Sequence, residues 1–121
     1  MNVFLLALMS ILMSVAAQFS LKAGVTELRA GLLTGAPGIL QSFIAFASNR
    51  FLILGFMLYG LGAIVWLSVL AKWDVSKAYP IVGLGFLMSA AVGFAMGEPV
   101  TLLRLFGVLL IVTGVLVVAM S

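Results

Sequence analysis

Four polar side chains recur at every fourth position near the N-terminus: Ser10, Ser14, Gln18 and Lys22. On an ideal α-helix the first three project within about 80° of arc and Lys22 lies about 40° further round, so the four form one slanted ridge. The ridge offers hydroxyls, an amide and a cation, and no carboxylate. Such a set suits an anionic phosphate with a neutral polar neighbour, such as a sugar, better than it suits a cation. Plainer roles exist for some members. Serines in apolar helices bond the carbonyl four residues back, and a lysine near a helix end extends its ammonium to the headgroup layer. Gln18 is harder to place in lipid, because its two donors and its acceptor all need partners; it belongs at a helix interface or in a watered cavity.

Two further residues join the candidates. Tyr79 carries a hydroxyl at the start of an apolar stretch, where it either donates to a substrate or anchors a helix at the interface. Glu98 sits in the turn Gly97-Glu98-Pro99, where a carboxylate would complement the dipole of the helix that follows or face the same groove. Arg104 reads as a snorkelling side chain or a second phosphate contact. Zero cysteines and zero histidines remove disulfides, thiolate metal sites and the usual zinc and haem ligands, so no metal and no cofactor is expected. Six scattered basic residues, with no basic run, give no footprint for nucleic acid. Three acids, two of them on loops, leave no catalytic pair, and no P-loop is present; the chain does not read as an enzyme.

The elements that must position these groups are membrane helices. Hydrophobic residues make up 65% of the 121 positions and charged residues 7%, with a mean hydropathy of +1.40, which excludes an ordinary soluble domain. Four apolar stretches, 3–21, 51–70, 79–96 and 102–120, each reach about 27 to 30 Å as a helix, matching a hydrocarbon core of about 30 Å. Continuous apolarity without strand alternation selects helices over a barrel. The first stretch lacks the basic flank and the small-residue cleavage site of a secretory signal. The expected fold is an all-α membrane protein, one domain over 1–121 with four transmembrane helices and an interfacial segment at about 23–48. Within that segment, residues 25–33 either extend the first helix or lie at the interface, Thr34-Gly35-Ala36-Pro37-Gly38 is the clearest breaker, and residues 39–47 are too short to span. Short links force the last three spans into an up-down arrangement, with Trp73 as an anchor at the headgroups. The pair Gly83 and Gly85 points to a bend in the third span.

One membrane face would carry Lys22, Arg29, Arg50 and Arg104, the other Lys72 and Lys77. A four-to-two split is a weak orientation bias: either the chain inserts in both directions, which makes an antiparallel dimer available, or the face bearing Lys22 to Arg50 is cytoplasmic. A single four-helix chain has little room for an enclosed cavity, and a dimer would supply the space. Gly107 and Gly114, seven apart on the fourth span, offer a seam where two backbones approach.

In order and spacing these features resemble the small multidrug resistance branch of the drug/metabolite transporter superfamily (EamA-like). The shared marks are a polar first helix ending in lysine, Ala78-Tyr79, Gly83 and Gly85, Gly97-Glu98, and Gly107 with Gly114. Exporters of cationic compounds in that branch carry a first-helix glutamate, which aligns with Ser14 here. The chain is more similar to the paired small subunits for undecaprenyl-phosphate-linked aminoarabinose. That likeness rests on Ser14-Val15-Ala16-Ala17-Gln18 with Lys22, Trp66-Leu67 with Val69-Leu70, Ala78-Tyr79-Pro80, and Glu98-Pro99-Val100 leading to Gly107. The segment from Lys22 to Arg50 is longer than in those subunits. The resemblance implies a flippase-type transporter that moves a polyprenyl-phosphate-linked sugar across the bacterial inner membrane, with membrane lipid as surroundings and a homodimer or a heterodimer with a similar small subunit. Its substrate-binding residues would be Ser10, Ser14, Gln18, Lys22, Tyr79 and Glu98. The alternatives are a proton-coupled exporter of small cationic compounds and a structural subunit of a larger membrane enzyme.

Overall fold

The computed structural model describes residues 2–32 and 38–121; Thr34, Gly35, Ala36 and Pro37 of the breaker cluster lie outside the described residues. The helices are α1 (Val3–Leu32), α2 (Ile39–Ser48), α3 (Arg50–Leu70), α4 (Val75–Ile81), α5 (Leu84–Ala95) and α6 (Leu102–Met120). Four stretches, Val3–Ala30, Arg50–Leu70, Val75–Ala95 and Leu102–Met120, are long and apolar enough to cross a bilayer. No strand occurs among the described residues. The chain is an all-α, four-span membrane protein.

Thirty residues make α1 about 45 Å long, which exceeds a hydrocarbon core of about 30 Å. The surplus lies at its C-terminal end, where Glu27 and Arg29 accompany good helix formers such as Ala23, Leu28 and Ala30. Residues 23–30 thus continue the first helix.

A sharp corner separates α2 from α3. Asn49 is extended (φ −73°, ψ 124°), and its buried Oδ1 accepts from the amides of Phe51 (3.0 Å) and Leu52 (3.1 Å), two of the unpaired donors at the start of α3. Phe46 of α2 packs on Phe56 of α3 with ring centroids 6.5 Å apart.

The closest seam in the molecule joins α1 to α3, which run antiparallel. Small residues permit it. A Cβ at Gly55 would stand 2.6 Å from Leu21 Cδ2 and 3.2 Å from the Ala17 carbonyl oxygen; one at Gly24 would stand 2.7 Å from Leu52 Cγ. Two hydroxyls bridge the seam, Ser10 Oγ to the Gly62 carbonyl (2.8 Å) and Ser20 Oγ to the Phe51 carbonyl (2.7 Å).

The third span is two helices. Pro80 lacks an amide hydrogen, and the amides of Val82, Gly83, Gly85 and Phe86 bond three residues back, a tightened turn at Val82–Gly83 between α4 and α5. A Cβ at Gly83 would meet Val115 Cγ2 at 2.6 Å, so the absence of a side chain lets α6 approach there. The turn after α5 is a Schellman motif: Glu98 N donates to the Gly93 carbonyl (2.9 Å), Gly97 N to the Phe94 carbonyl (3.1 Å), and Gly97 has φ +88°, a region that favours glycine. Glu98 therefore closes α5. It does not start α6, whose cap is Thr101, with Oγ1 accepting from Arg104 N at 3.0 Å.

Two buried clusters unite the spans. Ala7, Val69 and Ala78 meet at one end beside Trp66 and Trp73; Ile11, Val15, Ile81 and Val115 meet along the middle. Only Val108 and Val115 of α6 are buried, so most of that helix remains exposed.

Candidate functional site

The ridge on α1 faces one cavity of about 660 Å³, open on one side and running along that helix from Ser10 to Lys22, a rise of about 18 Å. One chain thus builds a hollow, but one open on a side rather than enclosed. Small residues on the facing helices leave it unfilled: Gly62 and Ala63 on α3, Gly85 and Ser89 on α5. The volume falls in the ordinary range for a small-molecule site, roughly 300 to 1,000 Å³.

All six candidate substrate residues, Ser10, Ser14, Gln18, Lys22, Tyr79 and Glu98, line this cavity. Ser10 is buried, and its hydroxyl is directed to the Gly62 carbonyl rather than to its own helix. Ser14 lines the middle of the wall. The Gln18 amide donates to the Tyr59 hydroxyl across from α3, which gives part of its polar capacity a partner and leaves the rest for a ligand. Tyr79 stands at the α4 end and is well exposed. Lys22 Nζ and Glu98 Oε1 are paired at 2.7 Å, joining α1 to the α5–α6 turn. An ion pair this open adds only about 0.5 kcal/mol to stability.

Arg104 turns back to the Pro99 carbonyl through Nη1 (2.7 Å) and is not part of the lining. Gly107 and Gly114 are elsewhere: nothing stands within 4 Å of a Cβ built at either, so within one chain they meet no partner.

The sequence reading missed Tyr59, Trp66, Phe86 and Ser89, which also line the cavity. Tyr59 and Trp66 are seven apart and so share a face of α3, a spacing visible in the sequence. Ser89 is the one hydroxyl within α5. Aromatic rings beside hydroxyls and an amide form a surface suited to a sugar, apolar on its faces and polar on its edges.

Fold and site together define a small multi-pass membrane protein with a largely apolar cavity between its spans and a polar ridge along one wall. No protein-family model matches the chain, and no solved structure matches it. Curated relatives do. A probable 4-amino-4-deoxy-L-arabinose-phosphoundecaprenol flippase subunit ArnE of Pseudomonas savastanoi pv. phaseolicola is 39% identical over 80 residues, 65% of this chain and 67% of the relative. Proteins with the same description match from Serratia proteamaculans, 38% identical over 73 residues (60% of this chain, 64% of the relative), and from Pseudomonas aeruginosa, 41% identical over 69 residues (56% and 60%). The chain belongs to this family of flippase subunits.

Proposed function

We propose that the chain is a flippase subunit whose α1–α3–α5 cavity carries the headgroup of a polyprenyl-phosphate-linked sugar across the membrane while the lipid tail stays in the bilayer. The observation that carries this reading is the single ridge of Ser10, Ser14, Gln18 and Lys22 along one cavity wall, with no carboxylate on that ridge to repel a phosphate. The relatives' description supplies the class of cargo, a phosphoundecaprenol bearing an amino pentose. In this reading Lys22 and the Gln18 amide hold the phosphate. Ser14, Tyr59 and Ser89 bond sugar hydroxyls, and Trp66 and Phe86 lie against the ring. Tyr79 closes the far end.

The relatives are named as subunits, which supports a second chain as partner, either a copy or a similar small subunit. An antiparallel pair with Gly107 and Gly114 at the seam would place two such cavities side by side, in the pattern of inverted repeats that meet at the midplane. The site itself argues against an exporter of cationic compounds. The position that aligns with the first-helix glutamate of such exporters is Ser14, and the one carboxylate in the lining, Glu98, stands in the α5–α6 turn and not on the ridge.

The test is flipping of a lipid-linked amino sugar in liposomes by the chain reconstituted with its partner subunit. Gln18→Ala and Lys22→Ala should each lower the rate about tenfold or more, the scale of losing a charge-assisted contact. Normal insertion with the parental rate in both variants would remove the cavity from the transport path.

A further inference from the structure

We propose that Glu98 is the residue by which this cavity selects a headgroup carrying a positive amine as well as a phosphate, through exchange of its Lys22 partner. The inference rests on the lipid-linked sugar reading above. Lys22 and Glu98 both line the cavity, so the 2.7 Å pair stands inside the space a headgroup would enter. The side chains are 65% and 35% exposed, and a pair so open is screened and easily parted.

Its two halves are held unequally. Glu98 is fixed by its backbone bond to Gly93 and by the positive-φ turn at Gly97, and its carboxylate lies over Gly93, where a Cβ would stand 2.6 Å from Oε2. Lys22 is an ammonium on a flexible four-carbon stem. Parting the pair therefore swings Lys22 away and leaves the carboxylate in place, directed at the site.

The consequence for binding is asymmetric. A phosphate that takes Lys22 alone strands the Glu98 carboxylate beside a second anion, and like charges repel. A headgroup with both a phosphate and an ammonium supplies a new partner to each half. Selectivity then arises from the charge left unpaired by the wrong ligand as much as from contacts to the right one. A sugar phosphate without an amine is disfavoured, because it leaves the Glu98 carboxylate without a partner.

The experiment measures binding of two short prenyl phosphate esters to the full chain in lipid nanodiscs, one bearing 4-amino-4-deoxyarabinose and the other arabinose. The unsubstituted chain should bind the amino ester roughly tenfold more tightly, as expected for one additional charge-assisted contact. Glu98→Gln should bring that ratio close to one, by weakening the amino ester and leaving the hydroxyl ester as tight or tighter. Glu98→Asp, which keeps the charge on a shorter stem, should retain a preference. Equal binding of the two esters by the unsubstituted chain overturns the inference while leaving the lipid-linked sugar reading intact; so does a ratio preserved in Glu98→Gln. Binding of neither ester overturns that reading and the inference with it. Should Glu98→Gln fail to insert, the ratio in the unsubstituted chain still decides.

Discussion

Ser10 and Ser20 work between helices. Each hydroxyl donates to a backbone carbonyl of α3 at a point where glycine or a close crossing lets the helices meet. Gly55 shows how little space that crossing leaves. Gly55→Ala forces a methyl into Leu21 and toward the Ala17 carbonyl, and should destabilise the chain by about 1 to 3 kcal/mol; unfolding in mixed micelles would measure it. Gly107→Ala, with open space at its Cβ, should leave the same transition unmoved. Ser10→Ala should cost about 1 kcal/mol through the lost bond to Gly62. At this scale the candidate site was legible where polarity stands out from an apolar background: the four-residue spacing brought Ser10, Ser14, Gln18 and Lys22 to one wall. The shared face of Tyr59 and Trp66 was visible in their spacing, but that they and Phe86 face the cavity was not, because aromatic residues on apolar helices look alike whether they face lipid, core or cavity.

The elements follow from a few breaking positions. Asn49 ends α2 and caps α3 within one residue, so Asn49→Ala removes the acceptor for two amides at once. The expected loss is about 1 to 2 kcal/mol, read by the same unfolding assay, with fraying of the first turn of α3 visible as faster amide exchange at Phe51 and Leu52. The interruption of the third span was signalled by Pro80 with Gly83 and Gly85; the close approach of Val115 from α6 over Gly83 is a contact that no local pattern contains. Glu98 teaches the complementary lesson. Its place after glycine in a turn suggested the start of a helix, yet the positive φ at Gly97 binds it to the end of α5 and leaves the cap to Thr101. A carboxylate at that position is thereby aimed at α1 rather than along α6.

At the scale of the molecule, charge and packing are both uneven. The contacts Ser20–Phe51, Lys22–Glu98 and Arg104–Pro99 gather Lys22, Arg50 and Arg104 at one end, while Lys77 stacks its ammonium over Trp73 (4.6 Å) at the other. The positive-inside rule favours the first end on the cytoplasmic side. A reporter fused at Ser121 should then give signal from one side; equal signal from both would establish dual insertion. The exposed α6 makes a second prediction. If Gly107 and Gly114 form a seam between chains, Gly107→Leu with Gly114→Leu should abolish cross-linking between copies in membranes without moving the unfolding midpoint of the single chain. Such uneven packing also bears on how the cavity could change width. The wall formed by α1 and α3 is held by glycine crossings and two hydroxyl bridges, whereas α5 meets α1 through thinner packing above a tightened turn, and Lys22–Glu98 is the one ion pair among the described residues. If the cavity widens, the α4–α5 arm is the part expected to turn, about Val82–Gly83, once the Lys22–Glu98 pair parts. Spin labels across α1 and α5 should therefore separate during transport, while a pair across α1 and α3 keeps a constant distance.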